Sequence, residues 1–402
     1  MQPFNQLPSA RVYAVDVLRG LTILLMVFVN EVAGVRNIPA AIQHVKRGVD
    51  GMTIVDWVFA GFLFVVGMSV PLALNQRILK GDTFWQLQKH IALRVIALLV
   101  LGVLMVNAES HYQGQPLFIP LALWTLLIYP FAILVWNVYK SEDQRKVLLM
   151  KGIGVAGLLT LAFIYRTGGE EAGGFIRPRW WGILGLIGWA YLAGSLIYQL
   201  VRGNKYGLFG GIAVCTALYA LNKAGLVTEG STAAWWLRTL ASHSTSTALV
   251  LSGMLLTILF FDQTQPASLK RRVLEVLIFT AILLVAGMLL RPYYALAKLG
   301  ATPTWGMYSA SFAIIAFLVI YWIVDVQGYQ GWTRFFAPAA ANPLLTYLIP
   351  FVFWALYSLF DFYPLPDAWK TGITGVLYCL AYAVFVAWLA GRLNKAGIKL
   401  QL

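Results

Sequence analysis

The chain has 402 residues, of which 60% are hydrophobic and only 11% are charged, and its mean hydropathy is +0.74. Soluble domains are about 45–50% apolar and about 25% charged, so this composition excludes a soluble globular protein, a disordered chain, collagen and a coiled coil. The formal net charge is +14. Cytoplasmic loops of membrane proteins are rich in Lys and Arg, and the sequence has no helix-turn-helix, zinc finger or basic aromatic strip. The charge therefore does not indicate a nucleic-acid partner.

Twelve apolar segments are long enough to cross a bilayer as helices, each of which needs ~20 apolar residues. Most are apolar on every side, which is typical of membrane helices and not of barrel strands. The sequence therefore predicts an all-α polytopic membrane protein, a bundle of about twelve transmembrane helices in one domain over residues 1–402. The predicted spans are residues 17–35, 52–75, 86–106, 116–138, 146–165, 179–200, 205–225, 241–262, 272–290, 304–325, 341–362 and 370–392.

The loop charges predict the orientation. With a cytoplasmic N-terminus, Lys and Arg are more numerous in the cytoplasmic loops than on the other side, as the positive-inside rule requires. An even number of spans then places the C-terminus in the cytoplasm too. The lipid bilayer is the first expected partner, and a homodimer is compatible with such a bundle.

Span 1 carries polar residues at both ends. Asp16 and Arg19 are three residues apart, so they share a helix face and can pair. Either they form an ion pair that fixes the helix end, or Arg19 is a ligand for a phosphate-bearing cofactor. Asn30 precedes Glu31 near the other end. An Asn side chain carries both a donor and an acceptor, so Asn30 either orients a catalytic base or makes an interhelical hydrogen bond.

The loop after span 1 contains His44, whose imidazole titrates near neutral pH and can take a proton from an amine or a hydroxyl. A lone loop histidine is also often merely solvated. Asp56 and Trp57 open span 2. Asp56 either holds a cationic or hydroxyl-rich substrate or is a helix N-terminal charge favoured by the dipole. The other histidines are His111 and His243 in predicted outer loops and His90 on the cytoplasmic side.

Three other features favour structural roles. Cys215 and Cys379 lie in apolar runs and are expected as small core residues. No CxxC and no Cys/His cluster is present, so no metal is predicted. Asn342 followed by Pro343 predicts a helix N-cap with proline at the first helical position.

Several of these residues resemble those of a known family. The stretch DVLRGLTILLMVFVN at 16–30 looks like the opening span of the heparan-α-glucosaminide N-acetyltransferase family. So do GMTIVD at 51–56, PTWGMYSAS at 303–311 and ANPLLTY at 341–347. The chain is also similar to the bacterial branch found with N-acetylglucosamine utilisation genes. The likeness covers roughly residues 11–106 and 272–392, with a weaker match at 181–188. Residues 116–165 look like an extra helical hairpin relative to the animal enzyme.

The resemblance implies a transmembrane N-acetyltransferase. In such an enzyme the acetyl group passes from cytosolic acetyl-CoA to the amino group of a glucosamine-type sugar on the periplasmic side of a bacterial inner membrane. By position, the family's catalytic histidine corresponds to His44, with Asn30 as its helper. Asp56 corresponds to a substrate contact, and we expect Trp57 beside it to share that role.

Two mechanisms and three classes of protein fit these residues. As a general base His44 would contribute ~10²–10⁴-fold; alternatively, His44 is itself acetylated and then attacked by the sugar. Arg19 is the preferred ligand for the acetyl-CoA phosphates, because the guanidinium is a planar fork, with Asp16 and Arg94 as further cofactor-binding residues. An inner-membrane amino-sugar (N-acetylglucosamine) permease is the main alternative, and a sugar sensor is a weaker one. Binding of CoA distinguishes the three.

Overall fold

The computed structural model describes residues 3–8, 12–109, 112–169, 172–226, 232–264, 266–362 and 366–400. Its regular structure is almost entirely helical, apart from one two-residue antiparallel pairing of β1 (Gln115–Pro116) with β2 (Tyr165–Arg166). The α-helices are α1 (Tyr13–Val32), α2 (Ile54–Leu79), α3 (Phe84–Asn107), α4 (Leu121–Trp136), α5 (Gln144–Ile164), α6 (Gly182–Leu200), α7 (Lys205–Lys223), α8 (Thr232–Ser242), α9 (Ser244–Phe261), α10 (Leu269–Leu290), α11 (Pro303–Tyr321), α12 (Ala337–Ala341), α13 (Pro343–Phe360) and α14 (Gly372–Lys395).

A helix occupies each of the twelve predicted spans. Within the described ranges, nine helices are long and apolar enough to cross a membrane by length and composition. Helix α4 is apolar but has only 16 residues, and α8, with 11 residues, lies where the sequence predicts a loop. The prediction of an all-helical polytopic membrane protein is therefore confirmed. The number of twelve spans and the cytoplasmic placement of both termini stay predictions.

The chain divides into two compact units. The first comprises residues 1–22, 39–95 and 187–333, and the second comprises residues 23–38, 96–186 and 334–402. Helices α1, α3 and α6 each contribute residues to both. The interpretation of residues 1–402 as one functional domain stays a prediction.

In the first unit, α2 and α9 cross in close contact. A Cβ atom on Gly67 would collide with the backbone of Val250, and one on Gly253 would collide with the backbone of Phe64. Glycine at both positions lets the helix backbones approach, as small residues do between membrane helices. The hydroxyl of Thr257 also donates to the carbonyl oxygen of Met68 at 3.1 Å. This crossing sets the positions of the first turns of both helices.

In the second unit, α4 and α5 form the hairpin predicted at 116–165. The indole nitrogen of Trp124 donates to the carbonyl oxygen of Leu161 at 2.9 Å, and Gly154 of α5 leaves room for the carbonyl of Phe131 on α4. Whether this hairpin is an addition to the family's fold stays a prediction.

The helix cap predicted at Asn342 is confirmed in position but not in its side-chain hydrogen bond. Pro343 does occupy the first turn of α13, but the side chain of Asn342 makes no capping hydrogen bond. Its Nδ2 donates to the carbonyl oxygen of Ile398 at 3.1 Å, and its Oδ1 accepts from the backbone nitrogen of Leu400 at 3.3 Å. Asn342 therefore uses its donor and its acceptor to hold the segment after α14, because that segment offers unpaired backbone groups beside it.

Candidate functional site

A histidine and a carboxylate meet at the start of α2. The Nδ1 atom of His44 lies 2.7 Å from Oδ1 of Asp56. The other carboxylate oxygen, Oδ2, accepts from the backbone nitrogens of Val45 at 3.1 Å and Thr53 at 3.3 Å, and it lies 3.1 Å from the Thr53 hydroxyl. Asp56 is the third residue of α2. The hydrogen bond that its carboxylate accepts from the backbone nitrogen of Thr53 is the carboxylate half of a capping box. Both oxygens of Asp56 are therefore engaged by the protein itself.

This contact determines which nitrogen of His44 is available. An ionised carboxylate only accepts hydrogen bonds, so Asp56 holds the imidazole proton on Nδ1. The lone pair then lies on Nε2. The side chain of His44 is 38% exposed, whereas that of Asp56 is only 3% exposed. The arrangement presents a basic nitrogen on a partly exposed imidazole whose orientation is fixed by a buried carboxylate, which is the geometry that a general base needs.

A lysine from a distant loop lies beside this pair. The Nζ atom of Lys298, between α10 and α11, is 3.4 Å from Nδ1 of His44. Burial lowers the pKa of Lys298 from its ordinary value, and the negative charge of Asp56 partly opposes that shift. The side-chain amine of Lys298 therefore lies beside the same nitrogen that Asp56 orients.

A second carboxylate joins the two loops. Asp50 accepts from the backbone nitrogen of Leu296 at 2.7 Å and from Nε of Arg291 at 3.1 Å, and the backbone nitrogen of Gly51 donates to the Leu296 carbonyl at 2.9 Å. The hydrogen bond from Leu296, with the smaller contribution of Arg291, holds the pKa of Asp50 below its ordinary value although partial burial opposes this. These bonds connect the loop of His44 to the loop of Lys298.

The first turns of three helices, α2, α9 and α11, are in contact at this end of the unit. The indole nitrogen of Trp305 in α11 donates to the carbonyl oxygen of Asp56 in α2 at 3.1 Å. A Cβ atom on Gly306 would lie 2.8 Å from Cγ2 of Thr245 in α9. Helix N-termini carry partial positive charge and stabilise anions. Three helix N-termini at one place therefore stabilise negative charge that develops beside them.

The structure shows the surroundings of two other predicted site residues, the substrate contact Trp57 and the helper Asn30. Trp57 is half-buried, and its indole nitrogen donates to the carbonyl oxygen of Ser309 at 3.0 Å. Because the indole N–H of Trp57 is engaged by a carbonyl of α11, the predicted substrate contact of Trp57 is restricted to the face of its ring. Asn30 is half-buried on α1 in the second unit. Its role beside His44 stays a prediction.

The residues predicted to hold acetyl-CoA lie elsewhere in the first unit. The Arg19 guanidinium binds Oδ1 of Asp16 at 2.9 Å and the Ser69 hydroxyl at 2.8 Å. Arg94 stacks on the ring of Tyr191, with 4.7 Å from its guanidinium carbon to the ring centroid. The ion pair between Asp16 and Arg19 is present, and it leaves the phosphate-binding role of Arg19 open.

The other histidines differ from His44. His90 is half-buried on α3, whereas His243 is buried and stacks on Trp189 with 5.8 Å between ring centroids. Burial lowers the pKa of His243 to about 4, so its imidazole is neutral at physiological pH. His111 lies outside the described residues. Among the residues that are described, no group of three or more His, Cys, Asp or Glu could hold a metal ion.

Sequence reasoning missed two members of the site. Thr53 is separated from Asp56 by two residues, and this spacing is a capping-box signature that could have been recognised. Lys298 had no such signal, because it lies 254 residues from His44 and in no motif. Only the folded loops bring it to the imidazole.

The helical fold defines a polytopic membrane protein, and comparison with known proteins gives its family. Residues 11–241, more than half of the chain, match the family described as "Domain of unknown function (DUF5009)". The chain belongs to the DUF5009 family.

The chain is also similar to two curated proteins named heparan-alpha-glucosaminide N-acetyltransferase. It is 33% identical to the protein of Homo sapiens over 98 residues, which is 24% of this chain and 14% of that protein. It is 34% identical to the protein of Mus musculus over 108 residues, which is 26% of this chain and 16% of that protein. These alignments support the predicted resemblance over a small part of each relative. The link to bacterial N-acetylglucosamine utilisation stays a prediction.

Proposed function

We propose that this protein is a multi-pass membrane N-acetyltransferase. It moves an acetyl group from cytosolic acetyl-CoA to the amino group of a glucosamine-type sugar on the periplasmic side of a bacterial inner membrane. The observation that carries the proposal is the 2.7 Å contact between Nδ1 of His44 and the buried Asp56 carboxylate, which places the imidazole lone pair on Nε2 of a side chain that is 38% exposed. The similarity to relatives named as N-acetyltransferases supports the reaction class.

In the proposed reaction His44 acts as the general base. Its Nε2 takes a proton from the acceptor nitrogen while the nitrogen lone pair attacks the thioester carbonyl carbon. The new C–N bond leaves negative charge on the carbonyl oxygen, and the N-termini of α2, α9 and α11 are proposed to stabilise it. The C–S bond then breaks, and the departing CoA thiolate takes the proton from the imidazolium. Asp56 is a positioning residue rather than a substrate contact, because the protein already engages both of its oxygens.

The donor is assigned to the guanidinium groups of the first unit. Arg19 is the first ligand for the CoA phosphates, and Asp16 holds it in place through their 2.9 Å ion pair. Arg94, held on the Tyr191 ring, is the second. In this proposal both chain termini lie in the cytoplasm, where acetyl-CoA is available.

Transfer by purified protein tests the proposal. The protein in detergent receives labelled acetyl-CoA and glucosamine, and His44→Ala is compared with His90→Ala, which changes a half-buried histidine of α3. Wild type and His90→Ala are expected to form labelled N-acetylglucosamine, and His44→Ala is expected to lose ~10²–10⁴-fold in rate. Equal rates for all three would exclude His44 as the base and make His243→Ala the next variant.

Two further outcomes separate the alternatives. In a second experiment the protein receives labelled acetyl-CoA without acceptor and is then quenched with acid. Labelled acetyl bound to wild type but not to His44→Ala would indicate an acetyl-histidine intermediate instead of direct transfer. If the protein neither transfers acetyl nor binds CoA, but carries the sugar into proteoliposomes, the amino-sugar permease would be favoured.

A further inference from the structure

We propose that Lys298 is a self-acetylation site, at which the protein transfers an acetyl group from the thioester donor to its own side-chain amine. The identity of the donor, acetyl-CoA, rests on the proposed function. Lys298 takes no part in the proposed transfer to the sugar, although its Nζ atom lies 3.4 Å from Nδ1 of His44.

The backbone on both sides of Lys298 is held by hydrogen bonds. Two residues before it, the backbone nitrogen of Leu296 donates to the Asp50 carboxylate at 2.7 Å. After it, the backbone nitrogen of Ala301 donates to the Lys298 carbonyl oxygen at 2.9 Å. Because Asp50 belongs to the loop that carries His44, these bonds hold the amine beside the imidazole.

The contact with His44 favours the neutral form of the amine. Asp56 holds the imidazole proton on Nδ1 through their 2.7 Å contact, so Nδ1 has a hydrogen atom to donate and no lone pair to offer. A lysine ammonium has three donors and no acceptor, whereas a neutral amine accepts through its lone pair. Nζ of Lys298 can therefore accept from Nδ1 of His44 only when it is uncharged.

Two features of the surroundings agree with an uncharged amine. Lys298 is half-buried, and among the described residues no carboxylate forms an ion pair with it. Burial lowers the pKa of Lys298 from its ordinary value, and the charge of Asp56 opposes only part of that shift. A lysine that is desolvated in this way is an activated nucleophile.

Acetylation of this amine balances with acetyl-CoA as the other reactant. The lone pair of Nζ attacks the thioester carbonyl carbon and forms an N–C bond. The C–S bond breaks, and the departing CoA thiolate takes one proton from Nζ. The products are an acetamide on Lys298 and free CoA. An amine held beside the base at which the acetyl group is transferred reacts faster than an amine in solution, because its position is already fixed.

The sugar acceptor and Lys298 compete for the same acetyl group. Both amines would react beside the same imidazole, so bound acceptor protects Lys298. The amide on Nζ is not a reactive acyl group, so it is no intermediate of transfer to the sugar. Acetylated Lys298 is therefore expected to accumulate when acceptor is scarce.

Peptide mapping after incubation with labelled acetyl-CoA tests the inference. Purified protein in detergent is incubated without sugar, treated with hydroxylamine to remove acetyl-histidine and thioesters, and digested for mass spectrometry. Lys298 is expected to be acetylated ~10-fold faster than Lys46, an exposed lysine in the loop of His44. Glucosamine is expected to slow acetylation of Lys298 and to leave that of Lys46 unchanged. Equal rates at the two lysines would overturn the inference.

Two matched variants give a second measurement. Lys298→Arg and Lys46→Arg each keep a basic side chain and remove the amine that would be acetylated. Hydroxylamine-resistant label is expected to be lost from Lys298→Arg and retained by Lys46→Arg. Label retained by Lys298→Arg would overturn the inference. If Lys298→Arg does not elute as a folded protein, the peptide map of wild type decides by itself.

The same preparations separate this inference from the proposed function. Labelled N-acetylglucosamine together with unmodified Lys298 would refute the self-acetylation site alone. Acetylated Lys298 without any transfer to glucosamine would refute the sugar acceptor and retain the self-acetylation site. A protein that does not bind CoA would refute both.

Discussion

Asp56 and Glu31 are both carboxylates near the end of an apolar helix, but their surroundings differ. Asp56 is 2% exposed, and its oxygens accept from an imidazole and from backbone nitrogens. Glu31 is half-buried, with one oxygen that no described residue engages. The partners of Asp56 are local, since His44 lies 12 residues away. Glu31 instead faces α13 and α14, which are distant in sequence.

The difference shows what each carboxylate can do. A carboxylate whose acceptor sites are all occupied acts through the group that it orients, which for Asp56 is the imidazole of His44. One with an unused acceptor can act directly on a ligand, and burial makes that interaction strong because water competes less. The same residue type thus orients an imidazole in one unit and, among the described residues, keeps an acceptor oxygen unused in the other.

Asp56→Asn should have the largest effect, on catalysis. The amide can donate to Nδ1 and so stabilise the wrong tautomer, which removes the basic lone pair from Nε2. We expect kcat to fall ~10²–10⁴-fold while KM for acetyl-CoA stays unchanged. Asp82→Asn, at an aspartate paired with Arg77 at the other end of α2, is the control. Steady-state kinetics measure both, and a change confined to KM would contradict the positioning role.

The two carboxylates should also respond to amidation with opposite changes in stability. Asp56→Asn removes an acceptor from buried donors, so we expect the free energy of unfolding to fall by ~1–3 kcal/mol. Glu31→Gln replaces a half-buried carboxyl group with one oxygen that no described residue engages, so we expect an increase of ~1 kcal/mol. Denaturant unfolding in detergent gives both values. Changes of the same sign would contradict the distinction.

Lys298→Met tests the lysine beside His44. Burial lowers the pKa of Lys298, so the folded state binds fewer protons than the unfolded state between the folded and unfolded pKa values. The positive charge of Lys298 therefore lowers the free energy of unfolding at pH values below the folded pKa. This loss disappears as the pH rises toward the ordinary pKa of lysine. The melting temperature of wild type should rise with pH in the alkaline range, and that of Lys298→Met should not. The same rise in both proteins would exclude Lys298 as its source.

The smallest effect is expected for Asp50→Asn. The pKa of Asp50 is lowered in the folded state, so its ionised form contributes stability above the unfolded pKa. That contribution is lost as the pH falls through the folded pKa. Asp50 is partly exposed, so this contribution is small. The difference in melting temperature between wild type and Asp50→Asn should be present at neutral pH and shrink in acid. A constant difference across that range would indicate that the charge of Asp50 does not matter.

The sequence by itself determined the membrane character and the helix positions. Hydropathy is a local property, since each span must bury ~20 consecutive apolar residues, and a helix therefore occupies every predicted span. The sequence also singled out His44 and Asp56, as ionisable residues beside predicted spans and through the family resemblance, whereas their direct contact came from the structure.

Tertiary structure alone decided which polar atoms remain available. The occupied oxygens of Asp56, the lysine at position 298, and the bonds of Asn342 to the segment after α14 depend on where hydrogen-bond donors and acceptors meet in space. The unused oxygen of Glu31 depends on side chains of α13 and α14, more than three hundred residues along the chain. A local pattern does not contain such contacts, because they arise from the packing of helices that hydropathy makes nearly alike.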